Sequence, residues 1–137
     1  MNADLIVFQT ERLILREFEL TDEDLIFRLL NSSSWQKFLG NRGINSLADA
    51  GKYISDKLIN SYNKYGFGLY LIKLKNGYES IGMCGIVKRE FLECADIGFA
   101  LLPEFSGKGY AYEASLATMD YCRSVLKINK LADITSK

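Results

Sequence analysis

The segment Ile97–Ala114, IGFALLPEFSGKGYAYEA, constrains this chain more than any other. Apart from Gly98, Ile97 to Leu102 is an unbroken apolar run; Pro103 closes it, Gly107 and Gly109 flank Lys108, and a helical pattern follows. This reads as a buried strand, a tight glycine turn and the first turn of an amphipathic helix. Glycines on both sides of Lys108 let backbone amides converge where the helix begins. Free N–H groups and the positive end of the helix dipole make such a turn a place for a phosphate. Spacing excludes two phosphate loops. A P-loop needs G-x-x-x-x-G-K-[ST], but Lys108 is followed by Gly109 and no glycine stands five residues before Gly107. A dinucleotide fingerprint needs G-x-G-x-x-G, and its third glycine is replaced by Tyr112.

The rest of the chain narrows the chemistry. It contains no histidine, which removes Ser-His and Cys-His nucleophilic pairs, histidine zinc sites and any histidine base. Cys84, Cys94 and Cys122 lack C-x-x-C spacing and read as reduced, mostly packed thiols, so no metal site is expected. Seventeen basic residues balance seventeen acidic ones, so no global field favours nucleic acid. No apolar run approaches membrane-spanning length and no signal pattern opens the chain, which predicts a cytoplasmic protein without membrane contact. With 137 residues and 48% apolar content, residues 1–137 are expected to form one domain around one core.

The pattern predicts strands over about Arg12–Glu17, Phe67–Lys75, Glu79–Arg89, Glu93–Leu102 and Lys130–Thr135, the second and third joined at Asn76-Gly77. A first helix is expected to start at Thr21, its hydroxyl capping with Asp24 three residues on. A second begins near Ser46, with Leu47, Ala50, Ile54, Leu58 and Tyr62 as one apolar stripe, and ends at Gly66. A third covers about Gly107–Leu126, with Tyr110, Ala114, Ala117 and Tyr121 sharing a face.

The glycine turn resembles the acetyl-CoA loop of the GNAT acetyltransferases, Gln/Arg-x-x-Gly-x-Gly/Ala, which falls on Glu104, Gly107 and Gly109. Glu104 departs from the pattern and is expected to turn away from the phosphates. The resemblance runs along nearly the whole chain and is most similar to the RimJ/RimL type. Thr10-Glu11-Arg12-Leu13-Ile14-Leu15-Arg16 looks like their opening strand, Thr21-Asp22-Glu23-Asp24 like their first helix entry and Gly43-Ile44 through Tyr53-Ile54 like the second. Gly66–Ile72, Ile81-Gly82 with Gly85-Ile86, and Asp96–Phe99 match the following strands. This implies an α+β fold: a mixed, mostly antiparallel sheet with its fourth and fifth strands splayed, flanked by about three helices. It implies acetyl-CoA as co-substrate, held by Phe99, Ala100, Leu101, Leu102, Ser106, Gly107, Lys108, Gly109, Tyr110 and Ala111, and an amine acceptor that is a peptide or a small molecule.

Direct acetyl transfer needs a base for the acceptor ammonium and an N–H donor for the thioester oxygen. Backbone around Phe99–Leu101 can supply the donor. Asp96 is the first candidate base, with Glu93 second; a structural carboxylate is the alternative for Asp96. Gly98 has two readings, close approach of the pantetheine arm to the strand, or a bulge or packing contact with a helix. Trp35, Phe38, Asn41 and Arg42 are acceptor-lining candidates, with packing as the alternative for the aromatics. Glu113, in the first turns of the third helix, reads as structural or capping. A CoA-binding or protein-interaction module of the same fold, without turnover, is the second functional reading. Members of this family usually continue with a further strand, helix and strand. The chain is therefore expected to be short at its C-terminus and to self-associate through the strand at Lys130–Thr135 or be weakly active.

Overall fold

Short apolar runs bounded by turn residues become the strands of one antiparallel sheet. The computed structural model describes residues 5–31, 46–88 and 95–124. In chain order these form β1 (Ile6–Gln9), β2 (Leu13–Arg16), a 3-10 turn (Leu20–Asp22), α1 (Glu23–Leu30), α2, β3 (Leu69–Leu74), β4 (Ser80–Lys88), β5 (Ala95–Leu101), a 3-10 turn (Pro103–Phe105) and α3 (Tyr110–Ser124). Helix α2 comprises α-helical Leu47–Tyr53, π-helical Ile54–Ile59 and α-helical Asn60–Tyr65. Strand order follows chain order, β1 to β5, and every pairing is antiparallel. The mixed α+β expectation holds for these residues. The expected strand at Lys130–Thr135, and with it any splay, lies outside them.

The sheet is covered on both faces, which is why β2 and the centre of β3 are apolar almost without alternation. On one face Leu71, Met83 and Leu102 pack with Leu25, Ile26, Leu29 and Leu30 of α1 and Ala50, Ile54 and Leu58 of α2. On the other, Leu13, Leu15, Tyr70, Ile72, Ile81, Cys84 and Ile97 pack around Ala114 of α3. The β3–β4 register shifts between Ile72, opposite Gly82, and Lys73, opposite Ser80. This irregularity puts Ile81 on the α3 face while Met83 faces α1 and α2.

Three local expectations change. The first helix is entered through the 3-10 turn, and Thr21 does not cap it; α1 starts at Glu23 with Asp22 at its N-cap. Asp22 is instead taken by Arg16, whose Nη1 and Nη2 reach its two oxygens at 2.9 and 2.8 Å, and by the Glu19 N–H at 2.8 Å. In α2, Ser46 caps Asp49 N–H at 3.1 Å and Gly66 closes the helix at φ 81°, both as expected, but Leu47 is exposed. Ala50, Ile54 and Leu58 recur every four residues, more than the roughly 3.6 of an α-helix, so their stripe would drift around the axis. The under-wound π turns at Ile54–Ile59 oppose that drift and keep all three in the core. In α3 the buried face is Ala114, Ser115, Thr118 and Cys122, so the core side is centred on hydroxyl- and thiol-bearing residues rather than on the Tyr110–Tyr121 stripe. Thr118 satisfies its hydroxyl on the Ala114 carbonyl at 2.8 Å and lies 3.5 Å from Cys84 Sγ.

Candidate functional site

Pro103 ends β5 and opens a 3-10 turn, after which Gly107 and Gly109 adopt φ values of 76° and 83°. Those left-handed conformations are the physical reason for glycine at both positions. The first main-chain bond of α3 is Glu113 N–H to the Gly109 carbonyl at 3.0 Å. The N–H groups of Tyr110, Ala111 and Tyr112 therefore precede the helical ladder, and none meets an acceptor among the described residues. Beside them lies a cavity of about 330 Å³ lined by Phe99 and Leu101 of β5, by Gly107, Gly109, Tyr110, Ala111 and Tyr112, and by Ser115, Leu116 and Met119 farther along α3. Its wall joins the turn that carries these main-chain donors to mostly apolar side chains, with Ser115 among them. That suits a phosphate-bearing ligand with a long, largely apolar arm.

Six of the ten residues expected around the cofactor line this cavity: Phe99, Leu101, Gly107, Gly109, Tyr110 and Ala111. Ala100 and Leu102 belong to the opposite face, with the α1 and α2 core, because alternate residues of a strand point to opposite sides. Ser106 and Lys108 are exposed in the turn without lining the cavity. Glu104 turns toward α1, where Arg28 Nη2 lies 3.3 Å from its carboxylate. Asp96 has its backbone in β5 opposite Val87. Glu93, Trp35, Phe38, Asn41 and Arg42 lie outside the described residues.

Among the described residues Gly98 is neither bulged nor pressed by a helix. The β4–β5 pairing runs without a break from Gly82–Leu101 to Lys88–Ala95, and among the described residues a Cβ at Gly98 would meet only Val87 Cγ2 at 3.5 Å and Leu69 Cδ2 at 3.9 Å. The second reading of this glycine is thereby set aside. Glu113 is more heavily engaged than an N-terminal helix acid need be. Its Oε2 accepts the Thr10 hydroxyl at 2.5 Å and the Arg12 N–H at 3.0 Å, and its Oε1 faces Arg12 Nε at 2.7 Å. Burial raises its carboxyl pKa, but the bonds from Thr10 and Arg12 outweigh that and hold it below the ordinary range.

Sequence reasoning overlooked Thr10 and Arg12 as parts of the turn, and Tyr112, Ser115, Leu116 and Met119 as cavity wall. Three of the last four carried a signal. Tyr112, Leu116 and Met119 recur at spacings of four and three; Met119 packs against the core around Ala114, while Tyr112 and Leu116 stand 71% and 49% exposed on the same helix.

The profile of the Acetyltransferase (GNAT) domain family matches residues 12–137. The chain is 30% identical over 125 residues to the uncharacterized N-acetyltransferase p20 of Bacillus licheniformis, covering 89% of this chain and 68% of that one. Among solved structures, the acetyltransferase of Agrobacterium tumefaciens str. C58 superposes with a TM-score of 0.74 at 27% identity, covering 90% of this chain and 70% of that one. The ribosomal L7/L12 alpha-N-protein acetyltransferase RimL, solved in complex with coenzyme A, shares the fold at a TM-score of 0.68 and 19% identity over 92% of this chain and 72% of its own. The family profile reaches from β2 through the glycine turn and α3, the segments that build the site, and on that ground the chain belongs to the GNAT acetyltransferase family.

Proposed function

We propose that this protein is an N-acetyltransferase that takes acetyl-CoA at the start of α3 and transfers the acetyl group to a primary amine by direct attack in a ternary complex. The observation that carries this reading is the Gly107–Gly109 turn, followed by three N–H groups that meet no acceptor among the described residues, beside the cavity walled by Phe99, Leu101 and Met119. Main-chain donors at a helix N-terminus match a pyrophosphate, and the apolar wall matches the arm that joins it to the thioester. The bound thioester supplies the acyl group. Binding, orientation and proton removal fall to the chain itself.

Among the described residues β5 is paired only with β4, so alternate N–H and C=O groups of Ala95–Leu101 face away from the ladder. That free edge can receive an extended arm as an added strand and present an N–H to the thioester oxygen. Gly98 lies in its middle. Asp96, on the same strand, is our candidate for removing the proton of the acceptor ammonium, with Glu93 second. Trp35, Phe38, Asn41 and Arg42 are proposed to line the acceptor. The resemblance to RimJ/RimL proteins favours a protein N-terminal amine or a small amine.

The test is thiol release from acetyl-CoA across a panel of N-terminal peptides, polyamines and amino sugars. Release with at least one amine, reduced about a hundredfold in Asp96→Asn with acetyl-CoA affinity preserved, is expected. Binding of acetyl-CoA with no release on any amine would contradict the catalytic reading. Unchanged turnover in Asp96→Asn would remove that residue from catalysis.

A further inference from the structure

Arg12 touches the glycine turn from behind. Its Nη1 donates to the Lys108 carbonyl at 3.2 Å while Nε holds Glu113 Oε1 at 2.7 Å, and its guanidinium carbon sits 4.5 Å above the Tyr110 ring centroid. A Cβ on Gly109 would come within 3.3 Å of Arg12 Nη2, so the guanidinium packs directly against this turn. Arg12 does not line the cavity, whereas Gly107, Gly109 and Tyr110 do.

The peptide bond joining Lys108 to Gly109 is trans and planar, so its C=O and N–H point in opposite directions. A guanidinium that fixes the carbonyl on one side thereby fixes the Gly109 N–H on the other. Among the described residues no main-chain donor reaches the Lys108 carbonyl, so Arg12 is the group that restrains this peptide plane. Glu113 offsets the charge of Arg12 and is itself anchored by Thr10 Oγ1, which also accepts the Leu13 N–H at 3.0 Å. The fork therefore contributes direction rather than net charge.

We infer that Arg12, braced by Thr10 and Glu113, is a positioning residue that aims the Gly109 amide at the bound anion. This rests on the acetyl-CoA reading above. The start of the sheet and the start of α3, a hundred residues apart in sequence, are one device in this account.

Two measurements on the full chain test it. In calorimetry, Arg12→Met should weaken acetyl-CoA binding about tenfold, as expected when one donor to a charged group is misdirected. Arg12→Lys, whose single ammonium cannot bridge Glu113 and the Lys108 carbonyl in a fork, should fall in between. In the free protein, the Gly109 amide resonance of Arg12→Met should move and its hydrogen exchange quicken, with β3 and β4 amides unchanged. Folded Arg12→Met that binds acetyl-CoA as the wild type does would overturn the inference. Should Arg12→Met fail to fold, Arg12→Lys with wild-type affinity and an unmoved Gly109 amide would do the same. A wild type that binds no acetyl-CoA would overturn the proposed function, while the Gly109 amide in the free protein still decides the orientation: movement in Arg12→Met supports it, and none overturns it.

Discussion

Gly85 and Gly98 face each other across β4 and β5, yet the structure gives them opposite tolerance to a methyl group. A Cβ on Gly85 would stand 2.1 Å from the Gly68 carbonyl oxygen and 2.7 Å from Leu69 Cα. Both are backbone atoms, so no rotamer can yield; the strand must move by about an ångström to restore ordinary contact. That movement breaks the Ile86 N–H to Gly68 carbonyl bond, now 3.1 Å, and disturbs the adjoining ladder. A lost buried main-chain bond plus overpacking amounts to about 3 kcal/mol or more, a large part of the roughly 5–15 kcal/mol that holds a domain together. Among the described residues a Cβ on Gly98 meets only two methyl groups, at 3.5 and 3.9 Å, so Gly98→Ala should change stability by less than about 1 kcal/mol. Urea unfolding followed by circular dichroism measures both. Equal destabilisation of the two variants would refute the reasoning, because composition and strand context are shared and only the Cβ environment differs. If Gly98 is retained for a ligand, Gly98→Ala should also lose acetyl-CoA affinity while keeping its unfolding midpoint.

Three further outcomes follow from particular contacts. Burial pushes the Cys84 and Cys122 thiols up to about 11, so iodoacetamide at pH 8 should leave both unmodified in the native protein and label them on unfolding, as read by peptide mass spectrometry. Glu113 is held below the usual carboxyl value, so its pairing with Arg12 and Thr10 stabilises the fold above that value and is lost as pH falls through the lowered one. The stability gap between wild type and Glu113→Gln should accordingly be full at neutral pH and shrink as pH falls below the ordinary carboxyl value, closing once Glu113 protonates in the folded protein, as measured by unfolding across pH. Arg16 is 4% exposed and pairs with the nearly buried Asp22, so Arg16→Met should cost about 3–5 kcal/mol by stranding that carboxylate, with thermal melting as the check.

The parts of this fold legible in the sequence were those where local chemistry and tertiary packing agree. Asn76-Gly77 made a hairpin, Ser46 and Gly66 bounded a helix, and Gly107 and Gly109 marked the turn, because in each the residue type is demanded by a backbone conformation or a cap. Strand β1 was missed because four residues, Ile6–Gln9, carry too little periodicity to stand out. The entry to α1 was misread because Arg16, six residues away, competes for Asp22 and reshapes the start. The buried face of α3 was displaced by one residue because Ser115 and Thr118, polar by type, are accommodated by Ala114 and Cys84. Arg12 and Thr10 could not be assigned to the turn from sequence at all. Their partner Glu113 is about a hundred positions away, and only the antiparallel order of the sheet brings the two together.

The most direct test of the account is a titration of the isotopically labelled protein with acetyl-CoA, followed amide by amide. Saturable shifts concentrated on Gly107–Tyr112 and on β5 from Gly98 to Leu101 are predicted, together with a gain of about 2.7 kcal/mol in unfolding stability at a hundred times the dissociation constant. Absence of any shift, or shifts confined to the separate cleft between Glu17, Phe18 and Tyr62, would contradict it.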